Sequence, residues 1–224
     1  MNGLVYKAMK GFGKVAAGSP ARRWMGFIIG NILMAASMAM LRMSLFGNDP
    51  YSCMNLGFAL QTGFSFGLCL TAANIVLFAP VLLWGRQYIK LGLFIYLFLL
   101  GPVSDAWYMA GTLALGAPET LGLTARVMLL IAGFSVCCFG VSFYMAAELG
   151  MGPYDALGWI VETRTTGRIP FARARIALDC TTTAIGFICG SIVGLGTLLM
   201  ACGTGPFVSF LMRHVSRPLL YGRD

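Results

Sequence analysis

The sequence predicts an all-α polytopic membrane protein: about six transmembrane helices as two inverted three-helix repeats, with short interfacial or re-entrant helices. Three observations predict it. The chain is 58% hydrophobic and only 11% charged, far from the roughly 25% charged of a soluble domain. Its apolar residues fall in long runs of spanning length. A set of Gly, Pro and Tyr positions also recurs, in order, from the first half to the second.

The spans follow from charge-free length. A spanning helix needs about 20 apolar residues, and the stretch from Arg126 to Glu148 has no charge between its ends. Similar spans run from Trp24 to Arg42, from Phe64 to Trp84 and from Leu91 towards Leu113. Between Asp179 and Arg213 lie 33 uncharged residues, 180 to 212. As one helix they would measure about 50 Å, too long for a hydrocarbon core of about 30 Å. The stretch therefore holds two spans, the first reaching back to Arg175, with a turn at Gly194-Leu195-Gly196. A five-span alternative requires one segment to be interfacial only.

Charge distribution sets the topology. Of 16 basic residues, 14 fall before span 1, between spans 2 and 3, between spans 4 and 5, or after span 6; Arg42 and Arg126 lie opposite. The positive-inside rule then puts both termini in the cytoplasm. The net charge of +8 is topological, so nucleic acid is excluded as the expected partner and the lipid bilayer takes its place. Residues 1–23 hold no apolar h-region before their basic residues and do not read as a signal peptide. Leu4, Ala8, Phe12 and Val15 fall at helical spacing beside lysines, as in a helix lying on the inner leaflet; a solvated basic tail is the alternative.

The repeat centres on two Pro-Tyr pairs. "FGNDPYSCMNLGF" carries Gly47, Pro50 and Tyr51, and "LGMGPYDALGW" carries Gly150, Pro153 and Tyr154, all at an offset of 103. Upstream, Gly30 matches Gly133. Downstream, "TGFSF" matches "TGRIPF" with one inserted residue, which brings Asn74 opposite Asp179, and Leu91-Gly92 and Gly101-Pro102 match Leu195-Gly196 and Gly205-Pro206. Three spans per repeat make the second copy enter the membrane from the opposite side, the architecture of transporters whose sites lie between the repeats.

"LGMGPYDAL", "TGRIPF", "GLGT" and "TGPFVSF" resemble the motifs of the YczE/YyaS/YitT family of bacterial membrane proteins, most closely over Gly133 to Phe210. The resemblance implies a small multi-span protein of the bacterial cell (inner) membrane. Two departures are Tyr154, where Trp is common, and Asn48-Asp49 in place of glycines in the first copy.

Candidate site residues follow from cost. Ionisable groups inside spans cost about 2.5–3.5 kcal/mol on insertion scales, which singles out Asp179 with its polar repeat partner Asn74. The bland alternative is that Asp179 pairs with Arg175 one turn earlier. Gly101-Pro102 and Gly205-Pro206 are expected to interrupt spans 3 and 6 and free backbone carbonyls. Gly152, Pro153, Tyr154 and Asp155 begin a new short helix, either flat on the membrane or re-entrant with its amides on a polar cavity. Arg42 and Asp105 could pair across the repeat interface or snorkel, and Glu148 is expected to pair with Arg164 or Arg168. Gly186, Gly190 and Gly194 form a small-residue stripe for a helix contact or a homodimer seam.

The seven cysteines form no framework, with only Cys53 outside the apolar spans, and the lone His214 has no ligand partners, so neither disulfide nor metal is expected. There is no phosphate-binding loop and no Ser-His, His-Glu or paired-carboxylate arrangement, so no enzyme and no cofactor are expected. The chain divides into a basic cytoplasmic segment 1–23, a first three-helix repeat 24–112, a second 127–212 and a basic cytoplasmic tail 213–224. Its expected function is that of a permease or transporter-like protein for an unknown small solute or ion. The rival is a non-transporting membrane scaffold or regulatory partner of another membrane protein.

Overall fold

A computed structural model describes residues 19–221; the expected helix within the first eighteen residues lies outside them. Among the described residues all regular structure is helical. The long elements are α1 (Pro20–Ser44), α3 (Phe66–Trp84), α4 (Leu91–Leu115), α5 (Leu123–Ala147), α7 (Phe171–Ile188) and α8 (Leu195–Leu211), the last continuing through a π turn into α9 (Arg217–Tyr221). Two short helices, α2 (Pro50–Thr62) and α6 (Pro153–Arg164), follow α1 and α5. Proline opens α1, α2 and α6, where its missing N–H costs nothing. Asp49 caps α2 by accepting the Ser52 N–H at 3.0 Å, and Ser65 caps α3 by accepting that of Leu68 at 3.2 Å.

Among the described residues five helices are long and apolar enough to cross a membrane: α1, α3, α4 with the turn after it, α5, and α8 with its continuation. The chain is a multi-span membrane protein, with its outward faces apolar: Leu113, Ile188, Leu195 and Val76 are among the most exposed side chains. The α7 helix carries Arg173, Arg175 and Asp179 and is less apolar.

Contacts fix the helix directions. Gly30 of α1 meets the α5 backbone at Gly140 and Tyr144, and Gly133 meets Met40 and Leu41, so α1 and α5 run antiparallel. Phe27 faces Gly92 while Met43 faces Gly111, so α1 and α4 run parallel. Leu130 faces Gly196, Phe134 faces Phe207 and Ser142 meets Ser216 at 2.7 Å, so α5 and α8 also run parallel. Since α5 and α8 point the same way, α7 must carry the chain back between them.

The short helices are exchanged between halves. α2 runs beside α7, with Gly186 against the Cys53 backbone and Gln61 donating to the Cys189 carbonyl at 3.1 Å. α6 runs beside the end of α3, packing Ala156 and Ile160 on Val81 and Gly85. Backbone features recur at the sequence offset. Leu45 (φ 57) and Glu148 (φ 54) end α1 and α5 in the left-handed region, followed by Gly47 (φ 101) and Gly150 (φ 146). Gly92 donates to the Leu149 carbonyl at 3.0 Å, and Gly196 donates to that of Phe46 at 2.8 Å. These two hydrogen bonds join the halves at equivalent places.

Several expectations are corrected. The turn before α8 spans residues 189–194, because α7 stops at Ile188. Of the glycine stripe, only Gly186 makes a helix contact, an internal one; Gly190 (φ 90) lies in the turn, and Gly194 caps α8. Gly101-Pro102 and Gly205-Pro206 do not interrupt their helices: α4 and α8 run through both. Gly101 is a close crossing with Gly67 of α3, Gly205 faces open space, and both prolines are exposed. Arg42 and Asp105 do pair, at 3.0 Å, but between α1 and α4 of the first half. Cys180 and Cys202 are exposed rather than packed, and Cys53 is buried.

Candidate functional site

Because α2 and α6 run in opposite directions with their first turns inside the protein, their N-termini face each other. Tyr51 and Tyr154, each the second residue of its helix, stack with centroids 4.4 Å apart and planes 11° apart. Offset-stacked rings are a favoured aromatic geometry. The Tyr51 hydroxyl donates to Asn74 Oδ1 at 2.9 Å, and the Tyr154 hydroxyl donates to Asp179 at 2.6 Å. The repeat-related residues Asn74 (on α3) and Asp179 (on α7) thus each hold the tyrosine of their own half, and the tyrosines join the halves.

The second half adds charge. Arg175 Nη1 reaches Asp155 at 2.7 Å and its Nε reaches Asp179 at 3.3 Å, so the expected Arg175–Asp179 pairing is present but is only part of the arrangement. The guanidinium also lies 4.5 Å from the Tyr154 ring centroid, a cation–π contact. Thr182 stands 3.2 Å from the Tyr154 hydroxyl. In the first half, the position that matches Arg175 is Leu70, fully buried. The Asn74 amide is also fully buried and its nitrogen has no partner.

Asp49, at the opposed end of α2, makes no ion pair among the described residues. Burial pushes its carboxyl above the usual range, against the Ser52 hydrogen bond and the pull of Arg175. Carboxylates at both helix N-termini, Asp49 and Asp155, complement the helix dipoles. Gly152 lets α6 start tight against the Tyr96 ring, which a Cβ would strike, and its N–H is accepted by the Tyr144 hydroxyl.

The structure therefore brings together Asp179, Tyr154, Asp155, Pro153, Gly152 and, through Tyr51, Asn74. It does not bring Pro102, Gly205 or Pro206 to them, and Gly101 serves the α3–α4 crossing. Tyr51, Asp49, Arg175 and Thr182 complete the site and are not among the site residues expected from the sequence. The offset of 103 from Tyr154 is a sufficient signal for Tyr51, and Asp49 directly before Pro50 carries the sequence pattern of a helix N-cap.

At the C-terminal end of α5 basic groups gather on the last carbonyls, as the dipole favours. Arg23 Nε donates to the Ala147 carbonyl at 3.0 Å, and Lys90 Nζ donates to that of Glu148 at 3.0 Å. The Glu148 carboxylate lies 3.8 Å from Arg217, not at Arg164 or Arg168 as expected. The continuation of α8 returns to the end of α5, whereas α6 carries Arg164 away.

Fold and site together define a small polytopic α-helical membrane protein in which two short helices oppose their N-termini inside the bundle. The chain belongs to the family of unknown function DUF6198, whose model matches residues 21–213. It is similar to an uncharacterized protein of Haemophilus influenzae, 29% identical over 76% of this chain and 74% of that one. It is also similar to the uncharacterized membrane protein YczE of Bacillus subtilis, 23% identical over 89% of each chain. The uncharacterized protein YyaS of the same organism is 24% identical over 88% of this chain and 96% of its own. The resemblance read from the sequence motifs is thereby borne out. No solved structure matches the chain significantly.

Proposed function

We propose that the protein is a permease for a small solute or ion, built as two inverted three-span repeats with its site at the Tyr51–Tyr154 contact. The observation that carries this reading is the pair of short helices whose N-termini meet inside the protein, each tyrosine held by the second long helix of its own half. Broken or half-length helices meeting between repeats are the usual construction of a transporter's site. The parallel course of α5 and α8 supports α7 as a sixth span, whose Arg175 and Asp179 are paired with each other and with α6 rather than left alone. On the positive-inside rule this reading has both termini on the cytoplasmic side of a bacterial inner membrane. On this reading α2 and α6 are re-entrant, since non-helical backbone at depth is tolerated where protein surrounds it. The protein performs no catalytic step.

The scaffold reading rests on one specific observation: both tyrosines are buried and Arg175 is clasped between two carboxylates, so the contact is well packed as it stands. The two are separated by screening solutes for thermal stabilisation of the protein in nanodiscs, followed by uptake of hits into proteoliposomes. A permease is expected to yield a solute that is taken up by the wild type and not by Asp179→Asn, with folding intact. Asp179→Asn and Asn74→Leu variants that fold and insert normally, with no solute taken up by any form, would establish the scaffold instead.

A further inference from the structure

We infer that the molecule has a second conformation, in which α7 closes on α8 at Gly205 while α3 parts from α4 at Gly101. The inference rests on the permease reading and adds the movement that would open the Tyr51–Tyr154 site to one side of the membrane at a time.

The two halves match in sequence but differ at one seam. In the first half α3 packs along α4. A Cβ at Gly67 would lie 2.4 Å from the Gly101 oxygen, and one at Gly101 would lie 2.3 Å from the Gly67 oxygen and 2.6 Å from Thr71 Oγ1. Asp105 accepts the Gly67 N–H across the same seam. The step of 105 residues that relates Asn74 to Asp179 also relates Gly67 and Thr71 to Ala172 and Ile176 of α7, while Gly101 corresponds to Gly205 of α8. This second seam is open. α7 rests on α2 and α6 instead. Ile176 is 59% exposed, and a Cβ at Gly205 would meet nothing within 4 Å. Leu97 of α4 is buried, whereas its counterpart on α8, Ala201, is exposed.

The open seam keeps the residues of a closed one. Small residues let membrane helices approach closely, and Ala172 and Gly205 are small where Gly67 and Gly101 are. A glycine within a helix is costly when nothing needs its missing side chain; closure of α7 on α8 gives Gly205 that use. The difference is reciprocal at the short helices. α7 lies tight on α2, where a Cβ at Gly186 would be 2.6 Å from the Cys53 backbone, whereas α3 meets α6 through the Ile160 side chain.

The closed seam also carries a cost. Thr71 Oγ1, Ser104 Oγ just beyond Gly101, and Asn74 Nδ2 are buried with no hydrogen-bond partner. Such groups destabilise the state that buries them, and water entering between α3 and α4 relieves them. On the topology of the permease reading, the closed seam is on the outer side and the open one on the cytoplasmic side.

The test uses the full chain in nanodiscs holding one copy each, with Cys137, Cys180, Cys189 and Cys202, the cysteines that are not buried, replaced by alanine. Oxidation of Ala172→Cys with Gly205→Cys is expected to form an intramolecular disulfide, which needs α-carbons within about 7 Å. Gly67→Ala, which wedges the closed seam, is expected to speed that reaction about tenfold. Labelling of Thr71→Cys by a water-soluble maleimide is expected to fall about tenfold with Gly205→Leu, which overpacks only the closed form of the second seam. This arm keeps the test decisive where Gly67→Ala fails to fold. The inference is overturned if no 172–205 disulfide forms, or if Thr71→Cys labels at the same rate with glycine and with leucine at position 205. Both expected responses, with no solute taken up in the proteoliposome screen, would leave the exchange standing and remove the permease reading. Uptake that persists with the 172–205 disulfide closed would leave the permease reading standing and overturn the exchange.

Discussion

Tyr51 and Tyr154 lie 103 residues apart in the chain and stack with their ring centroids 4.4 Å apart, joining the two short helices inside the protein. Their hydroxyls face unequal partners, an amide at Asn74 and a carboxylate at Asp179. Tyr154→Phe is therefore expected to cost more than Tyr51→Phe, about 2 kcal/mol against about 1, since hydrogen bonds to charged groups are the stronger. A double cycle with alanine at both positions should show a coupling of about 0.5–1.5 kcal/mol from ring contact. Reversible unfolding in mixed micelles measures all of these, and additive alanine effects would contradict the stack.

Glycines at helix crossings divide sharply by their surroundings. A Cβ at Gly30 would lie 2.6 Å from the Tyr144 backbone nitrogen and 2.8 Å from the Gly140 oxygen, neither of which can swing away. Gly30→Ala should therefore destabilise by about 1–3 kcal/mol. At Gly205 an added Cβ would meet nothing within 4 Å, so Gly205→Ala should be neutral or slightly stabilising in the same unfolding measurement.

Arg42 holds α1, α3 and α4 together. It pairs with Asp105 at 3.0 Å and lies between the rings of Phe66 and Tyr108, 4.4 and 4.0 Å from their centroids. Asp105 also accepts the Gly67 N–H at 2.8 Å. Asp105→Ala strands a mostly buried guanidinium and should cost about 3 kcal/mol or more. The Arg42→Met, Asp105→Ala double variant should recover part of that loss. Equal stability of the single and double variants would show that the pair carries no coupling.

Glu148 predicts a pH response. Burial pushes its carboxyl above the usual range, against the attraction of Arg217, Arg23 and Lys90. A carboxyl raised in the folded state binds its proton more tightly there than in the unfolded chain. Its contribution is therefore full below the ordinary carboxylate range and is lost as pH rises through the raised value. Unfolding temperature measured upward from about pH 4 should fall more steeply for the wild type than for Glu148→Gln; parallel curves would refute the assignment.

Topology is open to direct labelling. Ser52 is buried in the first turn of α2, whereas Ser65 and Thr166 are exposed. With Cys180 and Cys202 removed, Ser65→Cys should react with an impermeant maleimide from outside and Thr166→Cys only from the cytoplasm. Reaction of both from one side would end the inverted-repeat proposal.

The class of protein and the position of most long helices are legible in the chain before it folds, as is the recurrence of Gly, Pro and Tyr positions at a fixed offset. Long charge-free runs have few alternatives to helix in lipid, because every backbone polar group must be satisfied within the segment. The Pro-Tyr pairs mark both short helices, since proline suits a helix's first turn and the glycine three residues earlier, Gly47 or Gly150, takes the positive φ of the turn. Family membership is carried by the same short motifs.

What those elements touch is set by packing alone. Whether α6 lies flat or turns inward depends on α3 and α7, and no local signal in residues 153–164 reports them. The Gly-Pro steps read as breaks because proline removes a hydrogen bond; packing keeps α4 and α8 continuous and places both prolines on the exposed faces. Asp179 is visible in the sequence as a costly group and Arg175 as its neighbour one turn away. Their joint hold on Tyr154, with Asp155 reaching in from another helix, arises only when α6 and α7 pack together, because a side chain's partners across helices are set by three-dimensional proximity and not by spacing along the chain.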